Sequence, residues 1–156
     1  MKKLLCILIF LALLTGCKKE TVDEEEKSDY LAWKSDLVER EDFIDNNELN
    51  CDITVSVERI DDESISYTTV VSNPKEDMKD IKMLVVHNYF TEDVFPSVGV
   101  FDKTRDLLVD NNDDITLVGY IDTTKDIKKL DLEVRIWIQY TDANGNLKDI
   151  YYKTTK

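Results

Sequence analysis

The chain contains a single imidazole, that of His87, which fixes where histidine-dependent catalysis could occur. A Ser-His-Asp or Cys-His arrangement needs such a base near neutral pH. Cys51 is a candidate nucleophile, but strand-like alternation places it with Ile53 and Val55 on a face that we expect to be buried. No Gly-x-Ser-x-Gly segment is present to expose a nucleophilic serine. We therefore expect structural roles for His87 and Cys51, with a Cys51–His87 pair as the alternative.

One acidic loop resembles part of a calcium site. Asp142, Asn144 and Asn146 copy the first half of an EF-hand loop, which also needs Gly at its sixth position and Glu at its twelfth. Those two positions hold Leu147 and Lys153 instead. The Asn-Gly step inside the loop is typical of a hairpin, so the sequence favours a plain turn.

Other oxygen ligands and carboxylates are plentiful but not organised by spacing. Residues 110–114 form a second acidic loop that could hold calcium, although such loops are common between strands. The 33 Asp and Glu residues would allow a carboxylate pair of the glycosidase kind, yet no spacing singles one out. One His and no Cys/His cluster exclude the usual zinc frameworks. We predict no catalytic residue, no metal site and no cofactor.

Length and charge narrow the possible partners. A chain of 156 residues with 42% apolar content allows one domain with short appendages. The 33 acidic residues outnumber the 20 basic ones and give a formal charge of −13. Because phosphate binding needs clustered Lys and Arg, we do not expect nucleic acid as a partner.

The N-terminus reads as a targeting signal. Lys2 and Lys3 precede an apolar run over residues 4–14, which is too short for an ordinary transmembrane helix of roughly 20 residues. The run ends in Leu14-Thr15-Gly16-Cys17. These four residues resemble the lipobox of bacterial lipoproteins. The resemblance implies that residues 1–16 are a signal peptide and that Cys17 carries a diacylglyceryl group. The alternative is an uncleaved apolar N-terminus in which Cys17 has no role.

Cleavage after Gly16 would leave an acidic domain on a lipid anchor. Loss of Lys2 and Lys3 changes the formal charge from −13 to −15. Residues 17–28 are almost wholly polar and are predicted to be a tether. With Cys17 lipidated, the mature chain has Cys51 as its one remaining thiol, so it forms no internal disulfide.

Residues 29–46 are predicted to form a short amphipathic helix. Tyr30, Trp33, Leu37, Val38 and Ile44 recur at helical spacing, and their apolar face is expected to dock on the domain or on a partner. Ser28 is placed as the N-terminal cap.

The remaining residues, 49–156, alternate apolar and polar side chains and predict about seven short strands. Their spacing, with no long helix between them, favours an antiparallel β-sandwich, with a closed barrel as the runner-up. A contiguous apolar run at residues 83–86 predicts a third strand that is buried on both faces. The predicted strands cover residues 51–58, 65–71, 81–90, 94–101, 115–121, 130–140 and 147–154.

Three segments extend this fold prediction. The sequences that begin at Tyr67, Ile81 and Val134 are similar to those of small immunoglobulin-like lipoprotein domains, of which FxLYD-type modules are one example. In those modules a strand that ends in Tyr-Asp precedes a Gly-containing turn, whereas Thr141 separates Tyr140 from Asp142 here. The resemblance implies a mainly β, antiparallel, immunoglobulin-like sandwich and carries over no catalytic residue.

The strand predicted at residues 130–140 also offers a candidate contact surface. Arg135, Trp137 and Gln139 share one face, opposite to Val134 and Ile136. An Arg-Trp-Gln stripe of this kind suits a binding interface if it is exposed. The alternative is that the predicted helix covers Trp137.

Together these patterns predict a membrane-anchored lipoprotein of the bacterial cell envelope with an extracytoplasmic, non-catalytic binding domain. Its expected partners are the lipid bilayer, through acylated Cys17, and an envelope protein or wall component. One alternative is an envelope hydrolase that uses carboxylates or the Cys51–His87 pair. Another is a structural or immunity-type lipoprotein.

Overall fold

A computed structural model describes residues 24–89 and 94–156. The predicted signal peptide, Cys17, the tether as far as residue 23, and residue 90 of the predicted third strand lie outside these residues. The described chain has one α-helix and eight strands, with short 3-10 turns at Asn46–Glu48 and Ile127–Lys129. The elements are α1 Glu24–Glu39, β1 Asp52–Arg59, β2 Ser64–Ser72, β3 Met78–His87, β4 Ser97–Val98, β5 Arg105–Leu107, β6 Ile115–Asp122, β7 Glu133–Thr141 and β8 Leu147–Thr155.

The strands form two antiparallel sheets. One sheet has the order β1-β2-β6, and the other runs from β3 through β7 to β8, with β4 and β5 both paired to the free side of β3. This order places the first, second and sixth strands opposite a sheet centred on the third and seventh. It is the arrangement of an immunoglobulin-like sandwich, and it confirms the predicted mainly β, antiparallel fold.

The main core lies between the two sheets. Alternate side chains of every long strand point into it, because successive residues of a strand face opposite sides. One cluster therefore contains residues of both sheets, among them Ile53, Ile65, Val85, Ile121 and Ile136.

A second apolar cluster lies on the outer side of the larger sheet, beneath α1. Tyr30 and Leu37 of α1 pack there on Leu84, Val86 and Trp137. The predicted burial of β3 on both faces is confirmed, because Leu84 and Val86 face the helix while their neighbours face the main core.

The helix differs from its prediction at both ends. It begins at Glu24, so the last residues of the predicted tether are helical and Ser28 is not a cap. Three glutamates in the first turn suit the positive end of the helix dipole. The helix ends at Glu39, and Ile44 is not part of it. The Ile44 backbone N–H instead donates to the Tyr151 carbonyl of β8, at 2.9 Å.

The strands differ from prediction mainly where they are short. Within residues 94–101, all of which are described, the strand is Ser97–Val98, an edge pairing on β3. Arg105–Leu107 was not predicted, because three residues carry no periodic signal. The predicted strand at 130–140 begins only at Glu133, although Leu130 and Leu132 are buried ahead of it.

Candidate interaction surfaces

His87 is a packing residue at the end of β3. Its side chain is 1% exposed, and its ring lies edge-on to Tyr67 and Phe95, with centroids 5.1 Å and 5.0 Å away. Its Nδ1 accepts the backbone N–H of Tyr89 at 3.1 Å. Burial lowers the pKa of His87 to about 4, so the imidazole is neutral at physiological pH.

Cys51 lies far from His87. Its neighbour Asn50 donates to the hydroxyl of Tyr140, whereas His87 pairs with Val134 six residues earlier on β7. Six residues of strand span ~20 Å. Burial also raises the pKa of the Cys51 thiol to about 11, which disfavours the thiolate. The alternative of a Cys51–His87 pair is therefore wrong for this fold.

The loop at residues 142–146 is the plain hairpin turn that the sequence favours. Asp142 Oδ1 accepts the backbone N–H groups of Asn144 and Asn146 at 2.9 Å and 2.8 Å. These bonds lower the pKa of the Asp142 carboxyl, and Gly145 supplies the positive φ of +81°. In residues 24–89 and 94–156, no three His, Cys, Asp or Glu side chains are grouped to hold a metal ion.

Arg135, Trp137 and Gln139 do share a face, but α1 covers Trp137 at its centre, while Gln139 is half-buried. Trp137 is 3% exposed, and its ring centroid lies 4.8 Å from that of Trp33 on the helix. The indole N–H of Trp137 and the Gln139 amide both donate to Asp149 Oδ1. The prediction of an exposed contact stripe is thus wrong, and the alternative in which the helix covers Trp137 is correct.

Arg135 fastens the end of α1 to the sheet. Its Nη1 donates to the carbonyl oxygens of Leu37, Val38 and Arg40, which the end of the helix leaves without helical partners. Its Nε donates to Glu133 at 2.7 Å. Because α1 over Glu24–Glu39 has no basic residue in its last turn, this guanidinium supplies the positive charge that a helix C-terminus favours.

The outer side of the smaller sheet, here called the open face, carries very different side chains. Its outward residues on β1 and β6 are exposed, and those on β2 are half-buried. Charges occur towards the strand ends, at Asp52, Glu58 and Asp122. The middle is uncharged and mostly hydroxylic, and consists of Thr54, Ser56, Ser66, Thr68, Val70 and Thr116, whereas Val118 and Tyr120 lie at its margin on the edge strand β6.

A group of exposed apolar side chains, here called the apolar rim, lies around Phe95 at the β6 edge and on the adjoining turn of α1. Val94, Val118 and Tyr120 are 62%, 43% and 57% exposed, and they border a shallow cavity of about 320 Å³. Leu31, 51% exposed, lies one helical turn before Lys34, whose Nζ is 4.9 Å from the Phe95 ring. These four residues, Leu31, Val94, Val118 and Tyr120, make up the rim.

The floor of the rim is a row of packed aromatic rings. Gly119 pairs with Tyr67, and a Cβ at Gly119 would lie only 2.2 Å from the Tyr67 ring. The missing side chain thus lets Tyr67 reach His87, which in turn supports Phe95. A lone glycine inside a strand pattern is the sequence signal that could have indicated this close approach.

The rim is also joined to the helix. The hydroxyl of Tyr30 accepts the backbone N–H of Phe95 at 2.7 Å, in a buried position. The rim is therefore held next to the first half of α1, the element that follows the predicted tether.

Comparison with protein-family models, with curated proteins and with solved structures found no match. Among the described residues, no helix is both long and apolar enough to cross a bilayer.

Proposed function

We propose that this chain is a lipid-anchored protein of the bacterial envelope, held to a membrane through Cys17, with its sandwich on the extracytoplasmic side. In this proposal the domain is not an enzyme. It binds an envelope protein or a wall component through the open face. Nucleic acid is not a proposed partner, because the formal charge of −13 repels phosphate.

The observation that carries the binding role is the uncharged middle of the open face. A third of the chain, 34%, is Asp, Glu, Lys or Arg, yet the outward positions of β2 include none of them. Charged residues are depleted in the cores of protein interfaces, because desolvating them is costly. A sheet surface whose middle carries no charge can be covered by a partner without burying an unpaired charge.

The position of α1 supports the same assignment. The helix lies on the outer side of the larger sheet, so the two outer faces of the sandwich point in opposite directions. The anchor enters through α1, which begins at Glu24, seven residues after Cys17. Seven residues reach at most ~25 Å, so the tether holds the helix side towards the membrane and leaves the middle of the open face accessible.

Site-specific crosslinking in living cells tests this binding role. A photoreactive amino acid replaces Thr68, in the middle of the open face, or Val109, which is 50% exposed in a turn elsewhere. We expect a discrete adduct from position 68 and none from position 109. The same adducts from both positions, or none from position 68, would contradict the proposed binding face.

The anchor is tested separately by membrane fractionation. A Cys17→Ser variant should accumulate as the uncleaved precursor, because the lipid-bearing thiol is absent. If that variant is processed to mature size and stays with membranes like the wild type, the lipoprotein assignment is wrong.

A further inference from the structure

We infer that the apolar rim rests on the surface of the bilayer to which Cys17 tethers the domain. This inference depends on the proposed lipid anchor. It adds a second membrane contact, formed by Leu31, Val94, Val118 and Tyr120, and therefore an orientation for the domain.

The first argument is the clustering of exposed apolar groups. In the described residues, seven large apolar side chains are exposed, and the four of the rim lie around Phe95 or on the adjoining helix turn. The other three, Ile60, Val109 and Leu147, are dispersed over separate turns and a strand end. Singly exposed apolar residues need no explanation, whereas a cluster marks a contact surface.

The second argument is the short length of chain between Cys17 and the rim. Cys17 would lie at most ~25 Å of extended chain from Glu24. From Glu24, six helical residues, or ~9 Å, lead to Tyr30, whose hydroxyl holds the Phe95 backbone. The rim therefore lies at the edge of the sandwich between α1 and the edge strand β6, within reach of the membrane.

The third argument is chemical. Tyrosine favours the boundary between headgroups and acyl chains, because its ring is apolar and its hydroxyl is polar. Lys34 beside the rim can keep its ammonium at the headgroups while its stem follows the apolar surface. A short tether also gives an effective concentration in the millimolar range, so even a weak contact becomes populated.

The charge of the chain sets the lipid preference of this contact. The formal charge of the mature chain, −15, opposes approach to an anionic surface. The first turn of α1 adds Glu24, Glu25 and Glu26 at the end of the helix that the tether enters. We therefore expect the rim to contact zwitterionic bilayers and to withdraw from strongly anionic ones at low salt.

The test uses the full mature chain, lipidated at Cys17 and reconstituted in phosphatidylcholine vesicles. An environment-sensitive fluorophore is attached at Tyr120→Cys, with Leu147→Cys as the matched control at 64% exposure. Cys51 is 2% exposed, so it should remain unlabelled, and the parent protein checks this. We expect the label at position 120 to shift to shorter wavelength and to be quenched by a lipid-borne quencher at least threefold more than the label at position 147.

Rim variants sharpen the result. Leu31→Ser combined with Val94→Ser should abolish the difference between the two labels, whereas Ile60→Ser combined with Val109→Ser should leave it intact. Vesicles with 30% anionic lipid should reduce the difference in quenching between the two labels at low salt. Equal quenching at positions 120 and 147 in protein that floats with the vesicles would overturn the rim contact while leaving the anchor standing.

Two further outcomes separate the competing explanations. A chain that fails to float would count against the anchor itself. A shift at position 120 that appears without vesicles and grows with protein concentration would mean that a second copy covers the rim, which would also overturn the inference.

Discussion

The two outer faces of the sandwich are built for different surroundings. On the covered face, Leu84, Val86 and Trp137 are each under 4% exposed because α1 lies over them. On the open face, the outward residues of β2 are Ser, Thr and Val, and those of β1 are polar.

This difference shows how the sequence of a sandwich strand indicates whether another element packs on its outer side. A strand that is apolar on both faces, such as β3, needs something packed on its outer side. A strand that alternates strictly, such as β1, can face water or a polar partner. The covered face therefore contributes stability, and the open face can change with little cost to the fold.

The largest expected effect is on the covered face. Trp137→Ala removes the ring that packs on Trp33 and should lower the free energy of unfolding by about 3–5 kcal/mol, because a large buried side chain is lost. Chemical denaturation followed by circular dichroism measures the loss. A change below about 1 kcal/mol would show that the helix contributes little to stability.

A pH dependence tests the aromatic row under the rim. The pKa of His87 is lowered from 6.5 to about 4, so the folded protein binds its proton less tightly than the unfolded chain. The contribution of neutral His87 to the free energy of unfolding is full above pH 6.5 and is lost as pH falls towards 4, by about 3 kcal/mol in total. The unfolding free energies of wild type and His87→Phe, measured between pH 4 and 7, should diverge with this sign. Parallel curves would show that His87 is not desolvated.

The role of Arg135 in holding the end of α1 can be compared with that of Arg59, which also donates to backbone carbonyls. Arg135→Gln removes bonds to three carbonyls at the end of α1 and should cost about 1–3 kcal/mol. Trp33 and Trp137 are the two tryptophans of the chain and contact each other, so Trp emission reports helix docking.

The matched control is Arg59→Gln. Arg59 donates to the carbonyls of Thr123 and Lys125, away from the helix. Arg135→Gln should change Trp emission in the folded state, whereas Arg59→Gln should not. Equal emission spectra for the two variants would mean that Arg135 does not position α1.

The smallest expected effect is on the open face. Thr68→Ala and Ser56→Ala should each change the free energy of unfolding by less than about 0.5 kcal/mol, since surface substitutions of this kind rarely do more. Chemical denaturation under the same conditions as Trp137→Ala provides the comparison. Losses above about 2 kcal/mol would show that this face is part of the structural core.

Much of the fold follows from local sequence pattern. Strands such as β1 and β2 alternate regularly, so their periodicity is visible without the structure. The start of α1 was missed because polar residues such as Glu24 and Lys27 suit a tether and a helix equally. The strand Arg105–Leu107 was missed because three residues are too few to show a period, and it is a strand only through its pairing with β3.

The surfaces were harder to predict because they depend on tertiary register. Whether Trp137 is covered depends on where α1 lies, which helical spacing alone does not determine. The rim needs Gly119 opposite Tyr67 and Phe95 beside His87, and both pairings join segments that are distant in sequence. The hairpin turn at residues 142–146 was predictable, since the Asn-Gly step is a local signal.

The most direct test of the account is the intact mass of the mature chain extracted from membranes of its own host. The account predicts a chain that begins at Cys17, with the mass of residues 17–156 plus a diacylglyceryl group. A chain that still carries residues 1–16, or one whose Cys17 is a free thiol, would contradict it.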